Sequence, residues 1–471
     1  MLALLLGLSA GITPGCGNRA DQPNIILILI DDLGWRDLAV MGSQYYETPN
    51  IDRLAGQGML FTQAYANAPN CAPSRASLLS GQYAPRHGIY TVGSAARGNA
   101  RDRRLIPVDN KTALDLEIVT IAELLQAAGY ATGHFGKWHL GGAGHLPTDQ
   151  GFDVNVAGSE LGTPPSYFYP YNGARGQLSD LAQTGVAGEY LTDRLTDEAL
   201  RFLEANVGRP LFLYLSHYAV HTPMRAKDEV VDRFRDKAVW GGHSNPTYAA
   251  MISSVDESVG RVMAKISELG ISENTVVFFF SDNGGFGPVT SMAPLRGSKG
   301  MLYEGGIREP LIVRWPGVIE AGSMTDEPVI GTDLYPTIMD MTGLAHPTGQ
   351  ILDGVSLVPV LSGTGVLSER PLFLHFPAYL EADRSVAGPW RTTPVAAVRR
   401  GRYKLVQFFE NNRLELYDLE NDVGEGRNLA TSQPDTTSVL LRLLEDWRAA
   451  TDAPVPTEPG PEFDRSSSRN R

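Results

Sequence analysis

Two acidic pairs and one isolated thiol are the residues of this 471-residue chain best suited to chemistry. The pairs lie in Asp31-Asp32-Leu33-Gly34 and Asp282-Asn283-Gly284-Gly285. Three carboxylates and an amide oxygen make a hard, oxygen-rich set that suits Ca²⁺ or Mg²⁺ rather than a thiolate-seeking metal. Taken singly, each pair has a structural alternative, with Asp32 capping a helix and Asp282 closing a turn with Gly284. The thiol, Cys71, opens Cys71-Ala72-Pro73-Ser74-Arg75, which reads as a helix start with Pro in its first turn. A nucleophile there gains from the positive end of the helix dipole. The alternative is a small buried hydrophobe, weakened by the loop signal of Pro69 and Asn70. Further polar residues are Lys137 and His139 in Gly136-Lys137-Trp138-His139, His221 in His221-Thr222-Pro223, and Lys299 in Gly297-Ser298-Lys299-Gly300. A lone Lys is usually a solvated charge and a lone His usually structural. Positions just after strand-like runs give Lys137, His139 and His221 weight, and glycines around Lys299 allow close approach to a ligand.

Such residues meet only if the elements carrying them end together. Asn24–Ile30 is a continuous apolar run, read as a strand buried on both faces, and 130–135, 211–216 and 276–281 repeat the pattern. Helical periodicity lies between them. Thr120 caps a helix through Ala128 that Gly129 ends; Leu191, Leu195, Ala199 and Phe202 share a face; Ile252, Val255, Val259, Val262, Ile266 and Leu269 alternate in threes and fours before Gly270. Alternation of this kind predicts an α/β fold with a mostly parallel sheet covered on both sides. Ligands gather outside the carboxyl ends of such strands, so both acidic pairs face one crevice. After about Ser362 the pattern changes to short antiparallel strands at 396–400, 403–409 and 414–419, then a helix over 438–449. The resulting division is 1–22 export segment, 23–362 catalytic α/β domain, 363–453 α+β subdomain, and 454–471 disordered tail.

A composition of 42% hydrophobic and 20% charged residues is that of an ordinary globular protein, and a net charge of -13 excludes a general nucleic-acid binder. The run from Met1 to Ile12 resembles the apolar core of a secretory signal, without the usual basic residue before it and too short to span a bilayer. Thr13-Pro14-Gly15-Cys16 resembles a lipoprotein cleavage site, with Thr13 where an aliphatic residue is usual. The expectation is export to the periplasm or a bacterial cell surface, with Cys16 as a membrane tether; the alternative is a disordered apolar tail. Only two cysteines exist. A Cys16–Cys71 disulfide is the bland alternative in an oxidising compartment, but Cys16 lies in a segment that is removed or tethered, which leaves Cys71 free.

Together the motifs resemble the type I, formylglycine-dependent sulfatases of the alkaline phosphatase-like superfamily. The resemblance rests on the strand-Asp-Asp-Leu-Gly opening, Thr48-Pro49-Asn50-Ile51-Asp52-Arg53-Leu54, Cys-x-Pro-x-Arg at Cys71, Gly-Lys-Trp-His, His-Thr-Pro and Ser-Asp-Asn-Gly. Near the end, Leu416-Tyr417-Asp418-Leu419-Glu420-Asn421-Asp422 is similar to the family's C-terminal domain, with Val423 where Pro is common. The resemblance implies an alkaline-phosphatase-like α/β core with a smaller C-terminal α+β domain carrying a short antiparallel sheet. It implies that Asp31, Asp32, Asp282 and Asn283 hold the metal, Ca²⁺ or else Mg²⁺, with residue 71 beside it. A formylglycine-generating enzyme would convert Cys71 to 3-oxoalanine (Cα-formylglycine), which Arg75 would orient. Lys137 and Lys299 would grip sulfate oxygens, His139 would be the base that breaks down a sulfo-enzyme intermediate, and His221 would help protonate the leaving alcohol. Counting unit charges, three Asp and a divalent cation leave minus one, and Arg75, Lys137 and Lys299 bring the pocket to plus two.

The implied substrate is a sulfated carbohydrate, an analogy of fold and family only. His87, Arg97, Glu304, Arg308, His375 and Trp390 are candidate sugar contacts, each with a structural salt bridge or core contact as the alternative. Competing readings are a phosphate or phosphonate monoester hydrolase of the same superfamily, and an exported, non-catalytic binder of sulfated glycans.

Overall fold

The computed structural model describes residues 22–464. The segment expected to direct export, up to residue 21, Cys16 with its lipid-anchor and disulfide readings, and residues 465–471 lie outside the described residues. No helix of the described residues is long and apolar enough to cross a membrane.

The main sheet begins with β1 (Asn24–Ile30) and β2 (Met59–Tyr65). Helix α1 (Cys71–Ser80) follows, then α2 (Ile121–Ala127), β3 (Ala131–Gly136) and β4 (Val154–Val156). The chain continues through α3 (Leu191–Asn206), β5 (Leu211–Ser216), α4 (Pro246–Glu268) and β6 (Thr275–Ser281). It closes the layer with β7 (Arg308–Arg314), β8 (Ser323–Thr325), β9 (Val329–Ile330) and α5 (Leu334–Thr342). The nine-stranded sheet runs β8-β2-β7-β6-β1-β5-β3-β4, with β9 also on β2. Its pairings are parallel except those of β7, which is antiparallel to both β2 and β6. The mostly parallel α/β core is therefore present as expected.

The unbroken apolar runs exist because both sheet faces are covered. Side chains alternate across a strand. Ile26, Ile28 and Ile30 enter one core with Leu195 and Ala199 of α3 and Val255 and Val259 of α4. Ile25, Leu27 and Leu29 enter the other with Ala76 and Leu79 of α1, Leu125 of α2 and Ile338 of α5. At α2, Thr120 and Glu123 exchange hydrogen bonds as a capping box.

Strands β2 and β7 were not among those expected, for a physical reason. Thr62 and Gln63 interrupt the apolar run of β2, and Arg308-Glu309-Pro310 disguises the start of β7. The β2–β7 ladder is irregular between Phe61 and Ala64, opposite Pro310, so the proline lies where regular pairing lapses.

The C-terminal sheet consists of β10 (Leu372–Phe376), β11 (Val395–Arg400), β12 (Tyr403–Phe408) and β13 (Arg413–Asp418), all antiparallel in that order. Helix α6 (Pro434–Ala450) packs on it through Leu440 and Leu444, in a core that also takes Tyr65, Ile307 and Ile330 from the main layer. One expectation is corrected here. Residues 454–464 are not a loose tail: Ile106 N–H donates to Glu458 O at 2.8 Å, Gly460 N–H to Arg104 O at 2.8 Å, and Asp464 N–H to Arg101 O at 2.9 Å. Polar, Pro-rich composition does not prevent main-chain pairing once another segment offers its backbone groups.

Candidate active site

Ile30 and Ser281 are register partners at the ends of adjacent parallel strands, so the residues that follow them emerge side by side. That single register brings Asp31-Asp32 and Asp282-Asn283 together. Asp32 adopts φ 64, and its N–H donates to Asp282 Oδ1 at 3.2 Å. It caps no helix, and Asp282 is engaged across the crevice rather than in its own turn, which removes both local alternatives. Strand β5, on the other side of β1, ends at Ser216, and β3 beyond it leads into Lys137.

Every cation expected here lies against a carboxylate. Lys137 Nζ is 2.7 Å from Asp31 Oδ2, with both side chains fully buried. Arg75 Nε is 2.8 Å from Asp282 Oδ2, and its Nη1 donates to Lys137 O and Ser216 Oγ, tying three strand ends together. Lys299 Nζ bonds Asp32 Oδ1 and reaches Cys71 Sγ at 3.3 Å. The loop around Lys299 is fixed by Lys299 N–H to Gly285 O at 3.0 Å and by Gly300 N–H to Pro69 O at 2.7 Å, next to the start of α1.

Cys71 is the first residue of α1, 2% exposed, with Sγ 3.5 Å from Asp31 Oδ1. Burial pushes its thiol up to about 12, so cysteine at this position is neutral at ordinary pH. Burial likewise pushes the Asp31 carboxyl up to about 7, with Lys137 opposing and Asp282 and Asp32 reinforcing the shift. Against burial, Lys299, His221 and Lys137 hold Asp32 well below the usual carboxylate range. Burial first, then the Lys137 and Arg75 cations, keeps His139 well below the usual imidazole value, and its Nδ1 has no hydrogen-bond partner among the described residues. A methyl group on Gly162 would sit 2.3 Å from His139 Cε1, so the imidazole is packed where only glycine leaves room. His221 Nδ1–H donates to Thr222 O at 2.8 Å, and Nε2 is 3.6 Å from Asp32 Oδ2. Burial and Lys299 lower His221 to about 3 while Asp32 opposes them.

The donor set fits a hard divalent cation. Ligand atoms of Asp31, Asp32, Cys71 and His221 all lie within 4.8 Å of one another. Asn283 turns Nδ2 to Asp32 Oδ1 at 2.8 Å and leaves a buried Oδ1 without a partner among the described residues. Clustered, desolvated carboxylates with a spare amide oxygen are what such an ion neutralises. A cavity of about 450 Å³ opens onto this cluster, with Asp32, Cys71, His139, His221 and Lys299 on its wall.

Residues 23–344 match the family model described as Sulfatase, and residues 298–451 match that of N-sulphoglucosamine sulphohydrolase, C-terminal. The chain is 34% identical to a protein named Sulfatase from Formosa agariphila, over 92% of this chain and 90% of that one. It is also 34% identical to N-acetylgalactosamine-6-sulfatase of Canis lupus familiaris, over 91% and 79%. The crystal structure of Ps i-CgsB in complex with k-i-k-neocarrahexaose superposes with a TM-score of 0.76 at 30% identity, covering 95% of this chain and 96% of that one. The chain belongs to the sulfatase family.

Four of the sulfatase's candidate sugar contacts are structural. His87 is buried with Nε2 3.0 Å from Ser77 Oγ; His375 is buried with Nε2 2.9 Å from Pro454 O. Glu304 is fully buried against Lys404 at 2.9 Å, and Arg308 packs over Trp35 and donates to Thr62 O. Arg97 does line the cavity. Trp390 lines a neighbouring depression instead, its ring against Tyr379 with centroids 4.7 Å apart. Residues that local reading missed include Ser216, which holds Arg75, and the cavity-wall residues Glu160, Arg175, Glu381 and Arg391. Ser216 could have been found as the final polar residue of an apolar strand. The wall residues come from separate loops and carry no local signal.

Proposed function

We propose that this sulfatase removes sulfate from a sulfated carbohydrate, using residue 71 as formylglycine and a divalent ion, Ca²⁺ first, held by Asp31, Asp32, Asp282 and Asn283. The observation that carries the reading is the placement of Cys71 Sγ, at a helix start, within 3.5 Å of Asp31 Oδ1 and 3.3 Å of Lys299 Nζ beside an open cavity. The carbohydrate part is supported by the N-acetylgalactosamine-6-sulfatases among the relatives and by the oligosaccharide in the complex of Ps i-CgsB.

When bound, the ion would polarise a sulfuryl oxygen and ease deprotonation of a neighbouring hydroxyl. The hydrated aldehyde of formylglycine would supply a nucleophilic hydroxyl and a second hydroxyl whose deprotonation lets sulfate depart. The remaining work falls to side chains. Lys299, on the wall beside residue 71, binds a sulfate oxygen; Lys137, expected in the same role, is fully buried against Asp31 and is not among the wall residues, so it holds Asp31 in place instead. Arg75 fixes the crevice from behind through Asp282, Ser216 and the main chain of Lys137. His139, kept neutral and with Nδ1 unpartnered, is able to take a proton. His221 donates Nδ1–H to Thr222 O, so giving a proton to the leaving alcohol requires protonation at Nε2, which burial and Lys299 oppose and the nearby Asp32 favours.

Expression with a formylglycine-generating enzyme, followed by mass analysis of the peptide containing residue 71, tests this directly. The expected peptide carries formylglycine, and Cys71→Ala abolishes hydrolysis while the protein stays folded. An intact thiol in fully active protein ends the proposal. Parallel assays with aryl sulfate and aryl phosphonate esters separate sulfate from phosphonate hydrolysis. Export to the periplasm or cell surface is part of the same proposal, and cell fractionation checks it.

A further inference from the structure

Beyond the residues that hold the sulfate itself, the cavity wall carries three arginines: Arg97, Arg175 and Arg391. Two are already neutralised. Arg97 Nε is 2.9 Å from Glu381 Oε2, and Arg391 Nη2 is 3.0 Å from Asp383 Oδ2. Arg391 also donates to Lys299 O at 3.3 Å and lies over the Phe286 ring, so it serves the wall as a brace. Lys299 is paired with Asp32. Among the described residues, Arg175 is the cavity-wall cation with no carboxylate within ion-pair distance.

Its placement is built. Asn172–Gly173 and Gly176–Gln177 pair antiparallel, leaving Ala174-Arg175 as the turn of a small hairpin. The hairpin base is anchored by buried Tyr171, whose hydroxyl donates to Glu189 at 2.7 Å, and by buried Leu178, whose N–H returns to Tyr171 O at 3.1 Å. A methyl on Gly173 would sit 2.5 Å from Pro165 O, so the hairpin is pressed against that segment. Arg175 is the hairpin residue on the cavity wall, and it is exposed. A guanidinium offers a planar fork matched to carboxylate and sulfate oxygens alike. A cavity of about 450 Å³ holds more than one sulfate group, which leaves room for a sugar whose other substituents reach the wall. Glu160, also on the wall and, among the described residues, without an ion pair, suits sugar hydroxyls as an acceptor.

We propose that Arg175 is a specificity determinant that receives a second anionic group, a sulfate or a carboxylate, carried by the substrate sugar or its neighbour. This rests on the carbohydrate sulfatase reading above. Substrates with such a group would then be preferred over sugars whose sole charge is the scissile sulfate.

The test compares wild type, Arg175→Ala and Arg175→Lys on 4-nitrophenyl sulfate and on a panel of sugar sulfates. The panel holds the 4- and 6-sulfates of N-acetylgalactosamine, the 4,6-disulfate, and the uronyl disaccharides of each monosulfate. Wild type is expected to favour an anion-bearing probe over the matching monosulfate by about tenfold or more in kcat/KM, the value of one charge-assisted contact. Arg175→Ala should lose that preference through KM, leave 4-nitrophenyl sulfate within about twofold, and be partly rescued by Arg175→Lys. Loss confined to the disulfate assigns sulfate, and loss confined to the uronyl disaccharides assigns carboxylate. Equal wild-type rates on neutral and anionic sugars, or equal effects of Arg175→Ala on all probes, overturn the inference, as does activity on 4-nitrophenyl sulfate with none on the anionic sugars. Inactivity on every probe overturns the sulfatase-on-carbohydrate reading itself.

Discussion

At the scale of single residues, Cys71 is the telling case. A thiol pushed up to about 12 by burial is protonated and a poor nucleophile at neutral pH. The cations beside it, Lys137 and Lys299, lower its pKa but do not overcome desolvation. An unmodified cysteine here is therefore a neutral thiol rather than a thiolate. His139 is complementary: packed against Gly162 and left with a free Nδ1, it is a base held neutral. His139→Ala is expected to lower kcat on 4-nitrophenyl sulfate by about 10²–10⁴-fold, with KM changed by only a few-fold. Steady-state kinetics on the formylglycine form checks this; a large rise in KM with unchanged kcat would move His139 from proton transfer to binding.

At the scale of elements, the site is a meeting of strand ends. β1 and β6 deliver the aspartates because they are parallel neighbours in register, and Arg75 from α1 spans the ends of β3, β5 and β6. Removing one member of a buried ion pair leaves the other charge uncompensated. Arg75→Met is expected to cost about 3–5 kcal/mol in metal-free protein, read as a lowered urea midpoint. Burial works against the charged form of Asp31, whose carboxyl is pushed up to about 7. Chelation of divalent ions is expected to abolish turnover and lower the Tm. Ca²⁺ at about 100 times its Kd should restore roughly 2.7 kcal/mol of stability, measured by thermal unfolding with and without added ion. A Tm unmoved by chelator and Ca²⁺ would remove the metal from the proposal.

At the scale of the whole molecule, the C-terminal sheet is joined to the main layer through a buried cluster. Lys404 of β12 lies 2.9 Å from both Glu304 and Glu425, all three fully buried. One ammonium can bond both carboxylates but carries one positive charge against two negative ones. Against burial, Lys404, Arg308 and Arg399 hold Glu304 down at about 2, while burial pushes Glu425 up to about 7, with Lys404 opposing. The signs are opposite. Glu304 contributes stability that is present above its unfolded value and lost as pH falls toward 2. Glu425 binds its proton more tightly folded than unfolded, so stability falls as pH rises from its unfolded value through about 7. Glu425→Gln should remove the second effect: its Tm, measured between acid and neutral pH, should gain on wild type as pH rises through that window. A constant difference across the window would show that Glu425 does not titrate there.

The chain by itself determined a good deal of this protein. Continuous apolar runs at β1, β5 and β6 announced a doubly covered parallel sheet, because only strands buried on both faces lack a polar alternation. Motifs directly after β1 and β6 singled out the carboxylates, and separate short motifs singled out the thiol, the lysines and the histidines, which the fold brings to one crevice. Tertiary structure decided the rest. It inserted β2 and β7, whose polar residues and proline conceal them. It sent His87, Glu304, Arg308 and His375 into buried pairs, and it drew Arg175 and Arg391 to one wall. Those outcomes depend on which distant segments pack together, and packing partners far apart in the chain leave no periodicity in either segment alone.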